Sequence, residues 1–188
     1  MKSYLVLLRG VNVGGKNMVS MAALKARLED QGFTHVTTHM ASGNVVLQSA
    51  EPAGQVQRRV EATLADGFDL DDELIKALAL ERERFRKVID EKPKGFGDQP
   101  DKYHSDVIFL IEIDVAEAMT AFDPREGVDR VWPGDGVIYS QRLSAARTKS
   151  RLSKVMASPF YKSMTIRSWS TTVKLWDMFR DADGEDGT

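Results

Sequence analysis

The sequence contains no cysteine. That absence removes disulfide frameworks, thiolate zinc sites, iron–sulfur clusters and cysteine nucleophiles, leaving hydroxyl, carboxylate, imidazole and cationic side chains for any chemistry. Long hydrophobic runs are also missing. Tyr4 to Leu8 and Val107 to Ile111 are five residues each, far short of the ~20 needed to span a bilayer and too short for a signal-peptide core. An intracellular, cytoplasmic protein away from membranes is the expectation. What remains is ordinary: 188 residues, 42% hydrophobic and 29% charged, the composition of one globular domain or two small ones. Collagen, coiled coil and bulk disorder are excluded. A chain of this size buries roughly 70% of its unfolded surface, so it needs no metal to hold a core.

One more absence is local. Residues 136–176 carry eight basic residues (Arg142, Arg147, Lys149, Arg151, Lys154, Lys162, Arg167, Lys174) and no carboxylate, although the whole chain has a net charge of −2. Residues 1–50 sum to +3, residues 51–135 to −9 and the last twelve to −4. An acid-free stretch either makes a field that attracts anions or is a solvated helix face. The acidic middle would repel a long polyanion, so a compact phosphate or carboxylate suits this charge pattern better than nucleic acid.

Periodicity divides the chain into mixed elements. Ser3 to Leu8 reads as a buried strand. Ser20 is placed to cap a helix from Met21 to about Gln31, ended by Gly32. His35 to Thr38 and Asn44 to Gln48 read as strands, and Val56, Val60 and Leu64 mark a second helix. After the acidic stretch Asp66 to Glu73, Leu74 to Leu80 fits strand or helix. Phe85, Val88 and Ile89 mark an amphipathic helix, Pro93 to Pro100 a loop, and Asp106 to Ile113 a strand. A short helix at Ala116 to Phe122, a hairpin (Asp129 to Trp132 and Val137 to Ser140), a basic helix from Thr148 to Met156, and a final helix capped by Ser170 complete the reading. Strict βαβ alternation is absent, which favours an α+β fold. Two ferredoxin-like α/β-sandwich subdomains, 1–70 and 71–180, with sheets covered by helices, fit the counts. Residues 181–188 read as a disordered acidic tail.

Arg9 to Asn17 (RGVNVGGKN) follows a strand and precedes a helix. Gly10, Gly15 and Lys16 match a phosphate loop until its last position, where Asn17 replaces the serine or threonine that holds magnesium. Too few strands are apolar throughout for the parallel sheet of such enzymes. A weaker reading survives that mismatch. Gly14 and Gly15 let backbone N–H groups approach a ligand, with Arg9 and Lys16 as flanking charge. The alternative is a connection that needs glycine for backbone geometry alone.

The run LLRGVNVGGKNMVSMAALKARLEDQGF, followed by ASGNVVLQS, resembles the opening of the DUF1697 family of bacterial proteins of unknown function. Arg9-Gly10, Asn12 to Gly15, Asn17, Met21, Leu24, Gly32-Phe33 and Ser42 to Asn44 carry the resemblance. Towards the C-terminus the family usually shows Arg-Asn-Trp-Asn-Thr, and here Arg167-Ser168-Trp169-Ser170-Thr171 stands with two serines for asparagines, before Lys174-Leu175. The resemblance implies an α+β fold with ferredoxin-like halves and brings no activity.

The resulting expectation is one small anionic ligand held between the glycine loop and the basic C-terminal segment. Its contacts would be Arg9, Asn12, Gly14, Gly15, Lys16, Asn17, Ser42, Asn44, Arg147, Arg151 and Arg167. A phosphate-handling enzyme and an RNA-binding module are the alternatives. The RNA reading is weakened because the strands NVVLQ and DVIFLIEI offer only Phe109 for stacking. No cofactor and no metal is expected: His35 and His39 lie roughly 13 Å apart on a strand, and His104 falls in a loop without an evident partner. Ser42 lacks a nearby base and fits a turn. The three tryptophans read as core, and Asp71 to Glu73 as a solvated run.

Overall fold

Strand pairing, more than helix propensity, decides how this chain is divided. In the computed structural model, which describes residues 1–70 and 75–181, two compact units emerge. The first comprises Met1–Arg86 with the stretch from Leu175 on, and the second Lys87–Lys174.

The first unit runs β1 (Lys2–Arg9), α1 (Met21–Asp30), β2 (Thr34–His39), β3 (Asn44–Ser49), α2 (Ala53–Gly67) and β4 (Lys76–Glu81), followed by α3 (Arg82–Asp90). Its sheet has the order β2-β3-β1-β4 and is antiparallel throughout, the βαββαβ arrangement of a ferredoxin-like fold. Side chains alternate across β1, so Tyr4, Val6 and Leu8 meet Leu24 and Leu28 of α1 and Val56, Val60 and Leu64 of α2 in one core. Each such fully buried leucine contributes roughly 1.5–3 kcal/mol. Leu5 and Leu7 on the opposite face are buried as well, which is why β1 reads as a continuous apolar run. The ends of α1 form as expected: Ser20 Oγ accepts from Ala23 N–H at 3.3 Å. Gly32, at φ +88°, lets Phe33 N–H return to Leu28 O at 3.1 Å.

The second unit runs β5 (Tyr103–Leu110), α4 (Val115–Met119), β6 (Asp129–Pro133), β7 (Val137–Leu143), three 3-10 turns, and β8 (Met164–Ser168). The sheet order β6-β7-β5-β8 repeats the strand pattern of the first unit without a residue-level repeat. Ile108, Leu110, Ile138 and Met164 pack with Ala118 of α4 and Val155 on one face. On the other, Phe96 meets the rings of Tyr139 at 5.1 Å, Trp169 at 5.3 Å and Trp132 at 6.1 Å. Trp132 and Trp169 therefore pack in an aromatic cluster. α5 (Trp169–Asp181) starts directly after β8.

Several expectations need correction. The boundary falls at 86/87 and not at 70, because the ambiguous Leu74 to Leu80 stretch yields β4, which pairs with β1. The expected basic helix from Thr148 to Met156 is instead covered by a run of 3-10 turns at Ser144–Lys149, Leu152–Ala157 and Pro159–Ser163. Only Leu152 and Val155 of its first two turns are buried, too little apolar surface to specify a helix face. The strand β8 has no counterpart in the periodicity. The cap of α5 is Ser168, whose Oγ accepts from Thr171 N–H at 3.2 Å, and not Ser170. The acidic run Asp71 to Glu73 and the tail from residue 182 lie outside the described residues.

Candidate functional site

The glycine loop is a small hairpin. Asn12 N–H donates to Asn17 O at 2.9 Å and Lys16 N–H to Val13 O at 3.0 Å. Gly14 and Gly15 form the two-residue tip with φ +57° and +77°, the signs a type I′ turn requires. Two asparagines fasten its base. Asn12 Oδ1 accepts from Val19 N–H at 2.8 Å, and Asn12 Nδ2 donates to Val19 O at 3.0 Å and to Ala41 O at 2.7 Å. Asn17 Nδ2 donates to Gly10 O at 2.9 Å. Both asparagines hold positive φ, +53° and +50°, which asparagine tolerates better than most residues. Their amides therefore shape the loop. Val13, Gly14, Gly15 and Lys16 are exposed, and among the described residues no group accepts from the Gly14 or Gly15 N–H or pairs with the Lys16 ammonium. Arg9 ends β1 opposite Lys76 and is half-buried.

Asn44 fastens the neighbouring turn in the same way. It is buried, and its Nδ2 donates to His39 O at 2.8 Å and to Ser42 Oγ at 3.1 Å. Gly43 beside it, at φ +76°, would set a Cβ 2.7 Å from Leu8 Cβ. Ser42 and Asn44 thus build the turn beside the hairpin, joined to it through Asn12 and Ala41.

Arg147, Arg151 and Arg167 belong to the second unit. Part of the acid-free stretch is held by carboxylates from just before it. Asp123 accepts from Arg151 Nη1 at 2.9 Å, with Lys154 Nζ at 3.8 Å. Asp129 Oδ2 accepts from the backbone N–H of Arg125 at 3.0 Å and of Arg151 at 2.8 Å. Burial alone would raise the Asp129 pKa. The N–H of Arg151, the Ser150 hydroxyl and the N–H and charge of Arg125 outweigh it and hold the carboxyl below its usual range. Arg167 is buried, donates to Thr165 Oγ1 and Ile166 O at 2.9 Å each, and is lowered by desolvation to about 10. Of the three, Arg147 alone is exposed.

One polar cluster escaped sequence reasoning. His104 lies within β5, not in a loop, and its Nε2 sits 3.0 Å from Asp106 Oδ1. The pair occupies alternate positions of one strand and therefore one face. Arg142 stands opposite His104, and Ser140 and Ser168 flank Asp106 on the neighbouring strands. Burial raises the Asp106 pKa, opposed by the charges of His104 and Arg142. Extending the strand three residues towards Tyr103 is the signal that reveals it.

Among the described residues no group of three or more His, Asp or Glu side chains is placed to hold a metal ion, and no helix is long and apolar enough to cross a membrane. No curated protein matches the chain. The conserved bacterial protein SP0830 from Streptococcus pneumoniae has a similar structure. Its TM-score is 0.78 at 25% identity, over 95% of this chain and 98% of that one. The family model described as a protein of unknown function, DUF1697, matches residues 1–139, well over half of the chain, and this chain therefore belongs to the DUF1697 family.

Proposed function

We propose that the Gly14-Gly15-Lys16 tip recognises a small anionic ligand bearing a phosphate or carboxylate. The observation that carries the reading is the contrast within one loop. Every side-chain amide that could compete for an anion is spent on the backbone, while two consecutive N–H groups and one ammonium stand at a tip of fixed shape. A tip fixed in advance loses little entropy on binding. Because Asn12 and Asn17 serve the fold, they leave the expected contact set. Arg151 and Arg167 are already engaged within the second unit.

A thermal-shift screen against inorganic phosphate, phosphorylated metabolites, nucleotides and dicarboxylates tests this. A ligand at a hundredfold excess over its Kd adds roughly 2.7 kcal/mol of apparent stability. Lys16→Ala abolishes the shift on this reading. An unchanged shift in Lys16→Ala, or no shift with any anion, overturns the proposal.

A further inference from the structure

A second feature of the first unit lies between α1 and α2, away from the hairpin. Gly67 ends α2, and a Cβ there would stand 2.8 Å from Arg27 Cδ and 2.9 Å from its Nε. Lacking one, it leaves a notch in which Arg27 lies with its guanidinium 5.5 Å from the centre of the Phe68 ring. Arg59 is stacked likewise over Phe33, at 4.5 Å. Between them is a cleft of about 180 Å³ lined by Arg27, Asp30, Gln31, Arg59, Thr63 and Asp66.

The charges around this cleft do not cancel in pairs. Arg59 is committed to Glu51 at 2.9 Å and to Gln31 O. Arg27, Asp30 and Asp66 form no ion pair with one another or with any other described residue. One cation and two carboxylates are left over. The last turn of each helix borders the cleft, and helix C-termini carry partial negative charge that favours cations. The complement is a molecule with one carboxylate and two positive groups. The volume falls below the ~300 Å³ of the smallest drug-sized pockets, which excludes a nucleotide.

We propose that this cleft binds a free basic α-amino acid, with its carboxylate on Arg27 and its two cationic groups on Asp30 and Asp66. The cleft is shallow and its charges are solvated, so the affinity is on the order of millimolar.

NMR titration of the full chain with L-lysine tests the proposal, with norleucine lacking the second cation and cadaverine lacking the carboxylate. Lysine is expected to give saturable shifts around Arg27 and Asp66, with each control binding about fivefold more weakly or worse. Gly67→Ala is the informative variant. The three nearest atoms its methyl would meet belong to the flexible side chain of Arg27, so the helix keeps its fold and gains propensity while the guanidinium is displaced. It is expected to weaken lysine about fivefold with no loss of Tm, and Asp66→Asn to do the same. Equal binding of lysine and norleucine, undiminished binding in Gly67→Ala, or no saturation by tens of millimolar overturns the proposal. The cleft shares no residue with the hairpin, so the two readings fail separately.

Discussion

Asn12 pairs with both backbone groups of Val19, accepting from its N–H at 2.8 Å and donating to its carbonyl at 3.0 Å. A single side chain thus stands in for a strand partner. It closes the hairpin whose tip is Gly14-Gly15, while Val19 itself is buried.

Replacing Asn12 with alanine leaves the Val19 N–H and the Val19 and Ala41 carbonyls without these partners, at a residue with φ +53°. The expected loss is about 2–4 kcal/mol, from unsatisfied polar groups and left-handed strain. Urea denaturation measures it. A midpoint within error of wild type would show that the clip adds nothing.

Gly43 and Gly32 separate two costs of placing a methyl on glycine. At Gly43 the new Cβ meets Leu8 Cβ at 2.7 Å and Val11 Cγ2 at 2.8 Å, at φ +76°. Leu8 Cβ is tied to the backbone and cannot swing aside. At Gly32 the φ is +88° and nothing lies within 4 Å. Gly43→Ala should cost about 2–4 kcal/mol and Gly32→Ala about 1–2 kcal/mol. Equal losses would show that the close contact is relieved elsewhere.

Two carboxylates of the second unit respond to pH in opposite directions. Asp129 has a lowered pKa, so its contribution is complete above the ordinary value of 3.8 and is lost as pH falls through the lower folded value. Asp129→Asn should therefore destabilise at neutral pH, with the gap to wild type closing in acid. Asp106 has a raised pKa, so its buried charge subtracts from stability at neutral pH, and the penalty is relieved as pH falls through the raised value towards 3.8. Asp106→Asn should gain on wild type at neutral pH and lose that gain in acid. Chemical denaturation of both variants across this range reads the signs, and matching trends would refute the assignment.

How far the sequence alone could be read follows the range of the deciding interactions. β1 and α1 are local: five consecutive apolar residues, a serine cap and Gly32 each signal their structure within a few positions. β4 is not local. Its alanines favour a helix, and pairing with β1, some seventy residues away in sequence, overrides them. The basic segment misled as well: lysine, arginine and leucine favour a helix, yet only Leu152 and Val155 of its first two turns are buried, and Asp129 takes the Arg151 N–H. Ser168 lost the cap assignment to Ser170 because β8 runs into α5 without a break. As for the site, its glycines and Lys16 were legible as a loop between a strand and a helix, and the hairpin within it was not. That Asn12, Asn17 and Asn44 serve the backbone depends on Val19, Ala41, Gly10 and His39, which only the folded chain brings within reach.

The most direct test of the hairpin reading is an amide NMR titration of the full chain with inorganic phosphate, repeated on Lys16→Ala. The account predicts saturable shifts centred on Gly14, Gly15 and Lys16 in the wild type, lost in the variant while the rest of the spectrum is unchanged. Shifts that never saturate, or that persist without the lysine ammonium, would contradict it.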